Sequence, residues 1–271
     1  MRWICHPIFN GMQPGATAGG IAVVIDVLRA STTIATALAH GATGVRPVLE
    51  VAEARTLAGG RGVPPGPLLG GERGGLKIEG FDLGNSPLEY TAARVAGRPI
   101  VITTTNGTAA IDACGPAREL LVGAVVNRSA VAARARQLAA GHGADAIHLV
   151  CAGTDGEVTE EDLLAAGGIL AAAAELPDGG GDVLDAAARD ALADFRKVVP
   201  RSGRAAADAA PLAAAARGIA AAFASSRGGR NLVALGMQAD LAAAAAIDSL
   251  TVVPRLDRGT GWLVGDTAGR A

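Results

Sequence analysis

Aromatic side chains are scarce in this chain: four Phe, two Trp and one Tyr among 271 residues, or 3%. Proteins that hold single-stranded nucleic acid stack bases on aromatic rings, so that class of partner is not expected. Neither sign of charge dominates. With 24 basic and 26 acidic residues and a formal net charge of -2, the chain has no general attraction to nucleic acid or to an anionic membrane surface. Any anion binding must be local. The three cysteines, Cys5, Cys114 and Cys151, lack paired spacing, and an odd number makes a poor disulfide framework, so the expected compartment is a reducing cytoplasm. The opening Met1-Arg2-Trp3-Ile4-Cys5-His6-Pro7 has no continuous apolar run of the signal-peptide kind. The longest uncharged apolar stretch, Leu163 to Ala174, is shorter than the ~20 residues of a membrane span.

Familiar catalytic signatures are missing as well. His6, His40, His142 and His148 have no zinc-ligand spacing, and no Gly-x-Ser-x-Gly elbow occurs. There is no phosphate loop ending in Gly-Lys-Ser/Thr and no Gly-x-Gly-x-x-Gly after the first strand, which weakens ATP and dinucleotide readings.

What is present is a large apolar fraction, 50% hydrophobic, enough to bury a sizeable core. It is arranged in a recurring grammar of strand, polar loop and helix. Ile21 to Ile25 is a continuous β-branched run, followed by a polar stretch from Asp26 and a helical pattern from Thr32 to Gly41. The pattern recurs at Pro99–Thr103 with a helix from Ala109, at Ala146–Cys151 with a helix from Glu160, and at Leu120–Val126 with a helix after Ser129. A closing strand is expected at Leu250–Val253. Continuous apolar strands alternating with helices predict an α/β fold with a mainly parallel sheet covered on both faces, and ligands in such folds sit at the carboxyl ends of the strands. No linker forces a second unit, so residues 1–271 are expected to form a single domain. Alanine-rich helices leave room for a homo-oligomer.

Three polar loops then fall at strand ends: Asp26 to Thr33, Thr103 to Thr108, and Gly153 to Glu157. Asp26 is placed either as a metal ligand or nucleophile, or as a helix cap or partner of Arg29. Arg29, Ser31, Thr32 and Thr33 near a helix start suit an anion, although ordinary capping also explains the hydroxyls. Asn106-Gly107 is a common turn pair, but four threonines surround it, including Thr108. Asp155 and Glu157 either present oxygens to Mg²⁺ or are solvated loop acids. The segment from Gly70 to Pro87 adds glycines to Glu72, Arg73, Lys77 and Asp82, and Lys77 is one of only two lysines, with Lys197. Its glycines permit close backbone approach to a ligand, while the charged groups suit anionic oxygens or a hard cation; a surface loop is the alternative. Ser86-Pro87-Leu88-Glu89 reads as a capping box, and Thr159 with Glu160, Glu161 and Asp162 as a second helix start, both structural.

Taken in series, Val24-Ile25-Asp26-Val27-Leu28-Arg29-Ala30-Ser31-Thr32-Thr33, Gly71-Glu72-Arg73-Gly74-Gly75 onward to Leu88, Thr103-Thr104-Thr105-Asn106-Gly107-Thr108 and Cys151-Ala152-Gly153-Thr154-Asp155-Gly156 closely resemble the 2-phosphosulfolactate phosphatase (ComB) family. Gly229-Arg230-Asn231-Leu232 and Val253-Pro254 look like its C-terminal signature. The resemblance implies a three-layer α/β/α, ComB-like fold with a mainly parallel or mixed sheet. It also implies a Mg²⁺-dependent acid phosphatase that converts 2-phosphosulfolactate to sulfolactate and phosphate, a step toward coenzyme M. On that basis Asp26, Glu72 and Asp155 are the expected catalytic and Mg²⁺-binding residues. Arg29, Ser31, Thr32, Arg73, Lys77, Asn106, Gly107, Thr108 and Arg230 are the expected substrate contacts for a small anionic phosphate ester, with Arg128 a further anion partner. Ala109 stands where arginine is expected in the family and Ile78 where proline is usual. The alternatives are a phosphatase for another small phosphorylated acid, or a non-catalytic protein that binds an anionic metabolite.

Overall fold

The computed structural model describes residues 1–59, 66–200 and 209–266. Chain order begins with β1 (Arg2–His6), β2 (Ile21–Ile25), α1 (Ala30–Ala39), β3 (Gly44–Pro47), α2 (Val51–Gly59), β4 (Leu68–Arg73), β5 (Leu76–Lys77), α3 (Ala92–Val95), β6 (Pro99–Thr103), α4 (Gly107–Ala113), β7 (Glu119–Val122) and α5 (Arg128–His142). It continues with β8 (Ala146–Cys151), α6 (Glu160–Glu175), β9 (Val183–Leu184), α7 (Ala186–Val198), α8 (Ala209–Ser225), α9 (Arg227–Ala234), α10 (Ala239–Ala244), β10 (Val253–Asp257) and β11 (Trp262–Asp266).

Among the described residues eleven strands join one sheet, in the order β5-β4-β6-β3-β11-β10-β7-β2-β8-β1-β9. The four expected strand–loop–helix units are present at β2/α1, β6/α4, β7/α5 and β8/α6. β7 stops at Val122, four residues earlier than the apolar run suggests, because Val125–Asn127 turns into a short 3₁₀ helix before α5. The closing strand is displaced: Val253–Asp257 pairs antiparallel with Trp262–Asp266, a hairpin beyond the Leu250–Val253 run.

That hairpin makes the sheet mixed. β2 lies parallel to β7 and β8, and β6 parallel to β3 and β4. The steps β7–β10, β10–β11 and β11–β3 are each antiparallel, so the two parallel blocks run in opposite senses. Alternation along β2 sends Ile21, Val23 and Ile25 into a core with α5 and α6, while Ala22 and Val24 join Ile100 and Ile102 of β6 around Ile34 of α1 and Ala110 of α4. Helices therefore cover both faces of the sheet, giving three α/β/α layers. The burial of each central strand on both faces explains its unbroken apolar sequence.

Candidate active site

The polar ends of β2, β4, β6 and β8 meet in a cleft of about 420 Å³, closed on the remaining side by α9. Asp26, Arg29, Glu72, Asn106 and Asp155 all line it. Convergence of the three strand-end loops, expected from their placement, is observed. The Gly74-Gly75 turn adds a fourth wall.

Asp26 leaves β2 at its carboxyl end and is only 9% exposed. The turn behind it is built by the next residues: Ser31 N–H donates to the Asp26 carbonyl at 2.8 Å, and Asp26 N–H donates to Ser31 Oγ at 2.8 Å. Asp26 Oδ1 accepts weakly from Ala30 N–H, at 3.3 Å, but the N-cap position of α1 is Arg29, so Asp26 is not the helix cap. Its other carboxylate oxygen faces the start of α4, where a Cβ on Gly107 would lie 2.6 Å from Asp26 Oδ2 and from Ala30 Cβ. Glycine at 107 is what lets α4 approach the carboxylate. Burial, and then the nearby Glu72 charge, push the Asp26 carboxyl up to about 7.

Glu72 is the last residue but one of β4, 7% exposed. One carboxylate oxygen accepts from Thr105 N–H at 2.7 Å and the other from Gly75 N–H at 2.7 Å. Two main-chain donors thus aim the carboxylate at the cleft and fix the Gly74-Gly75 turn. Arg29 is 3% exposed and pairs not with Asp26 but with Asp240 of α10, at 2.8 Å. Its Nη2 donates to Gly75 carbonyl at 2.6 Å. Asp155 occupies the rim, 60% exposed in its side chain, at 3.3 Å from Arg227. Arg227 also pairs with Glu157, which clips the loop after β8 to the first turn of α9.

Other expected contacts have structural duties. Thr32 Oγ1 donates to Val27 carbonyl and Thr108 Oγ1 to Thr104 carbonyl, both at 2.8 Å and both buried. Arg73 reaches away to Leu49 carbonyl and Thr103 Oγ1, joining β4 to β6. Lys77 lies exposed on the β4–β5 hairpin, opposite Glu72 in register. Arg230 is exposed on α9 and donates to Ser225 carbonyl. Arg128 is elsewhere, paired with Asp248 at 3.0 Å and stacked over Phe195. Ser86 does stand at the N-cap of a short 3₁₀ helix, Pro87–Glu89, but the side chains form no capping box: the Ser86 hydroxyl donates to Asp240 Oδ1 at 2.6 Å, while Glu89 accepts from Gly84 N–H at 3.0 Å.

The acids of the first turn of α6 have a role beyond the helix dipole. Asp162, 3% exposed, accepts from Val27 N–H at 2.8 Å and Gly153 N–H at 3.0 Å, so it ties the β2 and β8 loops together. Burial, with Asp26 and Glu161 nearby, holds its carboxyl well above the usual range. Glu161 accepts from Gly228 N–H at 3.0 Å, and its buried Oε2 has no partner among the described residues. Asn85 also lines the cleft, and its Oδ1 has no partner among the described residues. A polar residue within the glycine-rich segment was the available signal for Asn85; acids at a helix start concealed Glu161 and Asp162.

Among the described residues no group of three or more His, Cys, Asp or Glu side chains is placed to hold a metal ion. The Asp26, Glu72 and Asp155 trio is therefore not assembled as one three-carboxylate centre. Asp26 and Glu72 remain a close buried pair, and Mg²⁺ characteristically takes one or two carboxylates, the rest of its shell being water and phosphate oxygen. The donor set fits that ion. No described helix is long and apolar enough to cross a membrane.

A mixed α/β sheet whose strand-end loops enclose two repelling buried carboxylates and a fixed arginine defines an enzyme-type site for a small anionic ligand. Known proteins narrow this class. The family model for 2-phosphosulpholactate phosphatase matches residues 9–259. A probable 2-phosphosulfolactate phosphatase of Symbiobacterium thermophilum is 40% identical over 243 residues, covering 89% of this chain and 93% of the relative. One from Synechococcus sp. (strain RCC307) is 42% identical over 251 residues, 90% of this chain and 92% of the relative. Another, from Caldicellulosiruptor saccharolyticus, is 45% identical over 167 residues, 62% and 68% of the two chains. The chain belongs to the 2-phosphosulfolactate phosphatase family.

Proposed function

We propose that this phosphatase hydrolyses 2-phosphosulfolactate to sulfolactate and phosphate with Mg²⁺ as cofactor, and that residues 1–271 act as one catalytic domain. The observation that carries the reading is the meeting of Asp26, Glu72 and Arg29 in one buried cleft. Asp26 and Glu72 would hold the ion. When bound, Mg²⁺ supplies positive charge against the phosphoryl oxygens and offsets the repulsion between the two carboxylates. Arg29 donates to the phosphoryl group, whose charge it shares as the P–O bond lengthens. Asn106 faces the cleft at the start of α4 and orients the same group. Leu28, Leu232 and Leu235 give the cleft an apolar wall. A water oxygen bonds to phosphorus in line as the ester P–O bond breaks; one of the water's protons passes to the departing oxygen, which becomes the hydroxyl of the 2-hydroxy acid, and the other stays on the released phosphate.

Phosphate release from 2-phosphosulfolactate, phospholactate and phosphoglycerate tests the substrate. Preference for the sulfonate is expected; equal rates on all three would replace this reading with a broader phosphatase for small phosphorylated acids. One observation favours that second reading: among the described residues lining the cleft Arg29 is the only basic one, whereas the sulfonated substrate carries three anionic groups.

A further inference from the structure

Asp240 lies outside every strand-end loop. It sits on α10, 2% exposed, behind the cleft wall. One of its oxygens accepts from Arg29 Nη1 at 2.8 Å and the other from Ser86 Oγ at 2.6 Å. Ser86 is itself held by a pinned turn, in which Tyr90 Oη donates to Gly84 carbonyl at 2.8 Å and Thr33 Oγ1 to Asn85 carbonyl at 2.7 Å. On its other side Arg29 donates to Gly75 carbonyl, and Gly75 N–H donates to Glu72. One residue, Gly75, therefore connects the guanidinium to a carboxylate of the cleft. Arg29 is thus linked through Gly75 to Glu72 and not to the rim where Arg227 meets Asp155.

A buried ion pair is a weak net source of stability, because desolvation consumes much of the Coulomb gain. Its better-attested use is to fix geometry. A guanidinium already anchored at both Nη atoms loses little freedom when it meets a ligand. We infer that Asp240 is a positioning residue which, with Ser86, sets Arg29 against the transferring phosphoryl group and not against the substrate's carboxylate or sulfonate. This rests on the phosphatase reading above.

The test compares wild type, Asp240→Asn, Ser86→Ala, Arg29→Ala and the Arg29→Ala/Asp240→Asn double variant. For each, kcat and KM are measured on 2-phosphosulfolactate and phospholactate, with thermal melts and calorimetric binding of inorganic phosphate in Mg²⁺. Asp240→Asn is expected to lower kcat about tenfold or more, by the same factor on both substrates, because both carry the phosphoryl group. Ser86→Ala should cost roughly two- to fivefold. Added to Arg29→Ala, Asp240→Asn should change kcat and phosphate affinity by less than about twofold. Equal effects of Asp240→Asn with and without Arg29 would overturn the inference, as would a loss confined to the sulfonated substrate. If Asp240→Asn fails to fold, Ser86→Ala and the double variant, which leaves no unpaired charge, decide the matter by the same comparison. If wild type turns over none of the substrates, the phosphatase reading fails separately, and unchanged phosphate affinity in Asp240→Asn then overturns the role of Asp240 as well.

Discussion

At Asp26 three demands meet in one carboxyl group: closure of the turn into α1, proximity to Glu72, and contact with the first residue of α4. Asp26→Asn keeps the shape and removes the charge. Turnover should fall about 100-fold or more while the melting temperature holds or rises, since a repelling buried charge is gone; near-normal turnover would remove Asp26 from the chemistry. Gly107→Ala forces its new methyl against Asp26 Oδ2 and Ala30. A stability loss of about 1–3 kcal/mol is expected from such overpacking, accompanied by lower activity. An unchanged melt and rate would show that α4 does not press on the carboxylate. Asp26, Glu72 and Arg29, which all line the cleft, were legible because charges stand out in such settings: an acid ending an apolar strand, an acid among glycines and a cation near a helix start. Ser31, Thr32 and Thr108 misled for the opposite reason: hydroxyls near helix starts suit anions and backbone equally, and here the backbone takes them.

At the scale of elements, the first turn of α6 is the fastener of the site. Asp162 joins the loops after β2 and β8 through two main-chain N–H groups. Asp162→Ala strands both donors, and a loss of about 2–4 kcal/mol follows, read as a fall of roughly 2–4 °C in melting temperature per kcal/mol. A melt within a degree of wild type would mean the loops are held by something else. Sequence marked the start of α6 correctly at Glu160, yet assigned its acids to the helix dipole. Nothing local shows that this turn inserts beneath two distant loops. The same blindness applies to Ser86, whose spacing to Glu89 matches a capping box although its hydroxyl is spent on Asp240, 154 residues away.

For the whole molecule, strand identity was legible and strand pairing was not. Apolar runs announce β2, β6 and β8, but the β10–β11 hairpin that reverses one parallel block against the other depends on contacts between remote segments. Global stability carries opposed pH effects. His148 stacks on His6, and burial, then His6 and Arg2, lower it from 6.5 to about 4. The unfolded chain therefore binds more protons at this site between those values, and its contribution to stability is lost as pH falls through that window. In metal-free protein Asp26 and Asp162, raised by burial, act in the opposite sense, because the folded state binds their protons first. His148→Gln isolates the first effect: between pH 7.5 and 5 the variant should lose less melting temperature than wild type, and an identical fall would contradict the assignment.

The central claim is that two buried carboxylates and an arginine perform metal-assisted phosphate-ester hydrolysis. Its most direct test is phosphate release from 2-phosphosulfolactate by wild type and Glu72→Gln, each in Mg²⁺ and in EDTA. The account predicts turnover by wild type in Mg²⁺ alone, restored when Mg²⁺ is returned, and a loss of about 100-fold or more in Glu72→Gln. Equal turnover in EDTA, or an unimpaired Glu72→Gln enzyme, would contradict it.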